Sequence, residues 1–448
     1  MPSPKNFLII TQVFSPDPAA VGQYFGEAAQ AIVGTGAKVT VLTANRGYDN
    51  PDKQFAAKED RDGIQIRRLP LSSFGKASIP VRIFAQLSFL IQCILRGLFT
   101  PKLTDLLVST SPPMAAITAV IIGFFRPKLK VHYWVMDINP DQAVVLGAFG
   151  PRHPLVLALD WLNRRILKRA DSIIALDRFM VERMEAKLTR PETELRRPIT
   201  IIPPWPMDDY LEAVPHSENQ FRKEQRWEDK FVVMYSGNHS LVHPLDTILD
   251  AAEALRDDPR FLFAFIGGGK GKQAVEDRVA ELNIESCSLN EGSATTNNKQ
   301  QTTSNLISLP YQPLDQIRFS LSAADLHIVS LGDNMSGIVH PCKIYGALSI
   351  GRPVLILGPK ESYLSDIIKK EVRSQKSEVS QETDRAIGYA IQHGDVAGAV
   401  AALTAAAGQT QQKRAAIGQR AEEVARERFS GEQLVNQFLE TVLSAEDD

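Results

Sequence analysis

Three times in the second half of the chain, an apolar, strand-forming run ends in a turn rich in Gly or Ser and restarts as a helix. The three runs are FVVMYSGNHS (231–240), FAFIGGGKG (263–271) and LHIVSLGDNMSGIVHPCKIYGALSIGRPVLILG (326–358). Repeated strand–turn–helix order lines up backbone N–H groups and helix N-termini along one edge of a parallel sheet. That edge is where an α/β domain holds a phosphorylated ligand. The pattern therefore points to a nucleotide or sugar-nucleotide site.

The first half alternates in the same way. FLIITQVF, KVTVLTA, GIQIRRLP, LLVSTSPP, KVHYWVMD, DSIIALD and ITIIPPWP read as strands or strand ends. Helices are expected at about 22–33, in AAITAVIIGFF and in HPLVLALDWLNRRILKRA, whose basic last turn suits the helix dipole. Such alternation predicts mostly parallel sheets with helices on both faces. The prolines of PPWP (203–206) fit neither a central strand nor a helix interior, so a domain boundary is placed there. The expected fold class is α/β, with two Rossmann-like parallel-sheet domains facing a cleft. Domain one is 1–205 and domain two 206–429, and a helix in 430–448 crosses back to the first domain. The second domain is expected to run strand 231–237, helix 244–256, strand 261–267, helix 270–283, strand 306–309, helix 314–323, strand 325–331, helix 341–350 and strand 353–358. Residues 285–305 are polar and of low complexity and read as a disordered insertion, with 371–383 similar.

Composition narrows the class. A net charge of −2 over 448 residues gives no global bias toward nucleic acid, and nucleic acid is not expected as a partner. Cys93, Cys287 and Cys342 show neither disulfide-like nor metal-like spacing, which points to a reduced, cytoplasmic setting. MPSPKNFLIITQVFSP reads as a first core strand rather than a signal peptide.

The longest apolar segment, 79–99, is interrupted by Arg82, Gln86, Gln92 and Arg96 and falls short of a clean membrane span. At helical spacing those four share one face, and the rest is almost wholly apolar. Two readings follow: a helix facing the core, or a helix lying on a membrane surface with Lys76, Arg82, Arg96 and Lys102 near lipid headgroups.

Particular residues carry the expected chemistry. In the turn SPDPAAVG, Gly22 permits close backbone approach ahead of the first helix. Asp137 lies just past a strand end, where a carboxylate is placed to take a proton from an acceptor hydroxyl. Asp141 is read as a cap of the following helix, and His132 as a satisfied core histidine. Ser236, Gly237 and Asn238 combine small size with phosphate-binding side chains, and His239 and His243 are secondary candidates. Gly267, Gly268 and Gly269 mark a close approach or a positive φ. Lys343 falls in the first turn of a helix after Pro341. The dipole disfavours a cation there unless an anion sits beside it.

Taken in order, FSPDPAAVGQYFGEAAQAIVGTGAKVTVLTA, DINP, ADSIIAL, ITIIPPW, YSGNHSLVHPLDTILDAAEAL, FIGGG, LPYQPLDQI and HPCKIYGALSIGRPVLILG resemble the retaining GT-B glycosyltransferases of family 4, or group 1. The likeness is greatest to the bacterial branch that assembles exopolysaccharide, colanic acid and O-antigen. The resemblance implies that Gly22 lies in the acceptor-side loop facing the donor phosphates and that Asp137 activates the acceptor. It implies that Ser236, Gly237, Asn238 and Lys343 hold the donor diphosphate, and that Gly268 and Tyr311 border the nucleobase. Two departures stand out. The Glu-x7-Glu pair of many relatives is replaced by Ile338 and Gly346, and Asn238 and His243 stand near the positions of an expected Arg and Lys.

The activity so implied is transfer of a hexose from a nucleoside diphosphate sugar, UDP-linked, to a saccharide or polyprenyl-linked acceptor, with retention and without a metal or other cofactor. The partners implied are that donor, that acceptor and the inner membrane surface reached through 79–99. A sugar-nucleotide epimerase or hydrolase, and a non-catalytic homologue that binds a partner or membrane, are the alternatives.

Overall fold

A computed structural model describes residues 5–17, 20–47, 52–73, 79–188, 198–206, 211–290, 305–373 and 386–444. The chain divides into two compact units, 1–205 with 337–340 and 432–448, and 206–336 with 341–431.

The first unit opens with β1 (Asn6–Ile10), α1 (Ala20–Gly34), β2 (Lys38–Ala44), β3 (Lys58–Arg61), β4 (Ile64–Leu69), α2 (Ile79–Phe99) and β5 (Asp105–Ser109). It continues with α3 (Ala116–Phe125), β6 (Lys130–Trp134), α4 (Asp141–Val145), α5 (Pro154–Arg169), β7 (Ser172–Ala175), α6 (Arg178–Ala186) and β8 (Ile199–Ile201). The sheet order is β3-β4-β2-β1-β5-β6-β7-β8, parallel except for the β3–β4 hairpin. The chain winds outward from β1 through β2, then returns to lay β5 on the other side of β1. The turns after β1 and β5 therefore meet at the point where the winding reverses, and Gln12 N–H donates to the Ser111 carbonyl at 3.0 Å.

The second unit holds α7 (Gln220–Glu224), β9 (Phe231–Ser236), α8 (Asp246–Ala254), β10 (Phe261–Ile266), α9 (Lys272–Asn290) and β11 (Leu306–Leu309). After a 3-10 turn (Leu314–Gln316) come α10 (Ile317–Ser322), β12 (Leu326–Ser330), α11 (Lys343–Ser349) and β13 (Val354–Leu357). Last come α12 (Tyr363–Arg373), β14 (Gly388–Ile391), α13 (Val396–Ala407) and α14 (Gln411–Arg428). All six strands are parallel in the order β11-β10-β9-β12-β13-β14. Here the winding reverses between β9 and β12, the strands that lead into Ser236 and toward Lys343.

Strand periodicity explains the core of this unit. Val233, Tyr235, Phe263 and Phe265 face one side of the sheet with α8 and α13, while Val232, Met234, Leu262 and Ala264 face the other with Phe221 and Trp227. Both faces are covered, so the strands read as unbroken apolar runs. Each fully buried Phe stabilises the sheet by roughly 1.5–3 kcal/mol. The closing helix α15 (Gly431–Leu443) belongs to the first unit, where the Phe438 ring lies 4.9 Å from Trp134 and Lys5 Nζ donates to the Leu443 carbonyl at 2.8 Å.

Several expectations need correction. The hairpin strand β3, with sequence KEDR, has no apolar alternation to announce it. The stretch read as an insertion from 285 to 305 is shorter, because α9 runs on to Asn290 and the Asn305 carbonyl accepts from Phe263 N–H at 2.6 Å beside the β10 ladder. Residues 291–304, and 374–385 of the similar stretch, lie outside the described residues. Asp141 is not a cap: α4 is preceded by Pro140, and the Asp141 carboxylate pairs with Lys187 at 2.6 Å. His132 is a satisfied core residue, within 2.8 Å of Ser172 Oγ and 3.0 Å of Asp105 Oδ1.

The helix at 79–99 forms, but with its faces reversed from the core-facing reading. Ala85, Phe89, Leu90, Cys93 and Gly97 are buried, flanked by the half-buried Gln86 and Gln92, so the side carrying these two glutamines turns inward while Arg96 stays exposed. Gln92 Nε2 donates to the Pro70 carbonyl at 2.7 Å. The opposite, apolar side is exposed: Ile83 52%, Leu87 46%, Ile91 56%, Leu95 50% and Phe99 80%. Among the described residues no helix is long and apolar enough to cross a membrane.

Candidate active site

In the first unit, β6 delivers Asp137 to the carboxyl edge of the sheet. Thr110, from the turn after β5, fixes its backbone: Thr110 Oγ1 accepts from Met136 N–H and Asp137 N–H, each at 3.2 Å. Asp137 is partly buried in an open pocket lined also by Thr110, Tyr133, Asn139, Asn163 and Lys187. Desolvation there pushes its carboxyl up to about 6. A carboxylate with that value is half ionised near pH 6 and is a competent base at neutral pH. Asn163 Nδ2 holds the far side of the turn through the Asn139 carbonyl at 2.6 Å, and Lys187 bridges Asp141 and Asp160 at 2.6 and 2.7 Å.

Gly22 is buried in the first turns of α1, and its missing side chain has a local reason. A Cβ there would lie 3.1 Å from Val13 and 3.2 Å from the Phe14 backbone. Its close approach is thus to the turn after β1. That turn is gripped from β3 and β4: Arg68 Nη2 donates to the Ser15 carbonyl at 3.1 Å and Arg61 Nη1 to Ser15 Oγ at 3.0 Å. Neither arginine stood out in the sequence: β3, which carries Arg61, was not legible, and the strand read in GIQIRRLP did not reveal what Arg68 holds.

In the second unit the turns after β9 and β10 cross. Gly237 and Gly267 take φ of 129° and 134°, a region that side chains avoid. A Cβ on Gly267 would overlap the Gly237 carbonyl, and one on Gly237 would lie 2.8 Å from Lys343 Cε. Gly237 N–H is committed to the Ile266 carbonyl at 2.9 Å, and His239 N–H to the Gly268 carbonyl at 2.7 Å. What Gly237 contributes is therefore clearance for the lysine stem rather than a donor. Gly267→Ala should cost roughly 1–3 kcal/mol from backbone strain alone. Chemical denaturation would read this as a lowered midpoint, and an unchanged midpoint would contradict the crossing.

Lys343 is the first residue of α11, preceded by Cys342. Its ammonium lies 4.9 Å from the centroid of the Tyr235 ring, and among the described residues no carboxylate pairs with it. Burial lowers it to about 8. Tyr235 in turn fixes the turn, its hydroxyl donating to the Asn238 carbonyl at 2.8 Å. Asn238 sits against Gly269, where a Cβ would overlap its Oδ1. Ser236 ends β9 half-buried beside them. Tyr311 is half exposed and lies over Gly268, where a Cβ would come within 2.9 Å of its ring. The second unit thus gathers Ser236, Gly237, Asn238, Gly268, Tyr311 and Lys343 around one sheet edge, while Gly22 and Asp137 belong to the first unit. At Gly346 a Cβ would meet only Leu321, at 3.6 Å, so this chain offers no carboxylate at that position of α11.

The second unit thus places a cation beside crossing, glycine-lined turns at a sheet edge, and the first unit places a partly buried carboxyl at its own sheet edge. Residues 19–205 match the Glycosyl transferase 4-like domain family. Two curated relatives are similar over a longer stretch of the chain. The probable glycosyltransferase WbjE of Pseudomonas aeruginosa is 26% identical over 294 residues, 60% of this chain and 63% of WbjE. The alignment therefore spans less than two thirds of that relative. The putative colanic acid biosynthesis glycosyl transferase WcaI of Escherichia coli (strain K12) is 21% identical over 358 residues, 77% of this chain and 81% of WcaI. The fold matches sucrose-phosphate synthase from Thermosynechococcus elongatus, with TM-score 0.69 and 14% identity over 99% of this chain and 100% of that one. It also matches Anabaena HepE in complex with UDP and glucose, with TM-score 0.65 and 15% identity over 98% of this chain and 100% of HepE.

Proposed function

We propose that this chain transfers a hexose from a nucleoside diphosphate sugar, UDP-linked, to a saccharide or polyprenyl-linked acceptor in cell-surface polysaccharide synthesis, with retention of configuration. The observation that carries the reading is Lys343, half-buried beside the crossed turns of Gly237 and Gly267, with no carboxylate paired to it among the described residues. Such an ammonium neutralises a leaving diphosphate as the glycosidic bond breaks, and in a desolvated site it does so more strongly than in water. Ser236 and Asn238 add side-chain hydrogen bonds, Tyr311 over Gly268 offers a ring to the base, and Asp137 takes the acceptor proton. That HepE was solved with UDP supports a uridine donor for this fold.

The reading includes no metal and no other cofactor, so transfer should persist in chelator. The test is incubation of UDP- and GDP-sugars with polyprenyl diphosphate-linked saccharides, with the product anomer read by NMR. An inverted anomer removes retention, and no transfer from any donor removes the enzyme. Gly346 favours one second reading, a homologue that binds donor without turning it over; tight donor binding with no transfer would select it.

The outward apolar side of α2 leads us to propose a peripheral site on the inner face of the cytoplasmic membrane. Phe124 and Phe125, 78% and 65% exposed at the end of α3, extend that surface. Arg126 ties the two helix ends together through the Gly97 and Thr100 carbonyls at 2.8 and 2.7 Å. The exposed Arg96, Lys102 and Lys128 supply positive charge for anionic headgroups. Leu87→Asp with Ile91→Asp should lower binding to phosphatidylethanolamine–phosphatidylglycerol vesicles about tenfold or more. Both side chains are largely exposed, so the fold should be retained. Undiminished sedimentation with vesicles would refute the membrane contact.

A further inference from the structure

Beside Lys343 lie two imidazoles that the diphosphate reading does not use. His239 is 1% exposed. Its Nδ1–H donates to the Gly237 carbonyl at 3.1 Å, which leaves the lone pair on Nε2, and that buried atom has no hydrogen-bond partner. The Nδ1 of His243, four residues on, is likewise buried and without a partner. A buried polar atom left without a partner is unfavourable in the folded state. Two such nitrogens lie four residues apart, and both rings face the charge of Lys343.

We propose that His239 and His243 form with Lys343 a subsite that takes up a proton from solvent when it receives the diphosphate of a nucleoside diphosphate sugar, so that His239 Nε2–H donates to a phosphate oxygen. The inference rests on the donor reading above and adds to it the protonation state of the bound complex. The charged groups facing His239 are Lys272 and Lys343, and the Tyr235 ring stands edge-on at 4.9 Å. Lys272 is itself tied to the Phe265 and Leu309 carbonyls, each at 2.9 Å. Lys343 is the charge facing His243.

In the free protein, burial, then the Lys272 and Lys343 charges, hold His239 down at about 4, and burial and Lys343 hold His243 well below its ordinary value. His239 is thus neutral at pH 6. An arriving diphosphate cancels the lysine charges and places opposite charge against the rings. Such a charge raises a pKa by roughly 1–3 pH units, enough to bring an imidazole into the protonated range near pH 6. The arrangement makes the phosphate contact conditional, since the imidazole becomes a donor only when an anion is present.

The experiment is calorimetric titration with UDP-glucose and GDP-mannose at pH 6 and pH 8, in pairs of buffers of different ionisation enthalpy. A sugar-linked diphosphate carries no titrating proton near neutrality, so any uptake belongs to the protein. At pH 6 Lys343 is already charged, and uptake there reports imidazole, while at pH 8 it also reports lysine. Measuring in an Asp137→Asn background removes a carboxyl of the first unit that also titrates near pH 6. We expect uptake of about half a proton or more at pH 6. His239→Gln should abolish most of it and weaken binding about tenfold at that pH. His239→Asn and His243→Gln serve as second variants, with a thermal melt to check folding. Donor binding with no uptake at pH 6, or uptake unchanged in every histidine variant, overturns this inference alone. Absence of binding by either sugar nucleotide overturns it together with the donor reading.

Discussion

Lys343→Ala is expected to weaken binding of the donor sugar nucleotide about a hundredfold, because it removes a charge-assisted contact worth ~1.5–3 kcal/mol from a desolvated site. The loss should appear in Kd by calorimetry without a loss of stability. The folded protein lowers Lys343 to about 8, below its free value. Its charge therefore opposes folding at pH 7, and that opposition fades as pH rises past the folded and then the unfolded value. Alanine should leave the melting temperature at pH 7 unchanged or slightly raised. In the native protein, donor affinity should fall as pH rises above about 8, where the free ammonium loses its proton. Retained affinity in the alanine variant would move the diphosphate elsewhere.

Asp137→Asn should lower kcat by ~10²–10⁴ while leaving donor Kd within a few-fold, as expected for loss of a general base that does not touch the donor. Its folded carboxyl sits up at about 6. The active form is the ionised one, so kcat/KM should rise through about pH 6 and level off above it. In the asparagine variant that acid limb should vanish. If the limb persists in the variant, the group that titrates is another one. Thr110→Val would show whether the backbone clamp matters. It removes the acceptor of two N–H groups and should lower kcat while keeping the limb.

Much of this was legible from the residues because the strands are covered on both faces. Unbroken apolar runs such as FLFAFI are what parallel strands look like, and their ends point to the sheet edge that holds Ser236 and Gly267. Lys343 was legible for a different reason: a cation in the first turn of a helix is electrostatically misplaced, and the structure sets it half-buried over the Tyr235 ring with no carboxylate partner among the described residues. What escaped the sequence depends on pairing at a distance. β3 is written KEDR and becomes a strand only because β4 offers it an edge, and with it came Arg61. The faces of α2 were visible, yet which one turns inward is decided by Ile122 and Leu8. A Cβ on Gly97 would overlap the Ile122 side chain and lie 3.5 Å from Leu8. The orphan nitrogen of His239 is a property of the crossed turns and has no signature in NHSLVH.

The first unit is assembled from three separate stretches of chain, and this limits how freely such proteins can be recombined. Cutting at 205/206 looks natural on paper. Yet Ile138 N–H donates to the Ile338 carbonyl at 2.8 Å, His340 Nδ1 meets Asp177 at 2.8 Å, and Phe438 fills the space beside Trp134. A hybrid joined at that point would bring a foreign loop and a foreign tail against surfaces shaped for the native ones. Donor preference should therefore pass between relatives only when 337–340 and 432–444 stay with the half they complete. An exchange of halves thus needs more than one junction, while substitution within the turns after β9, β10 and β12 needs none.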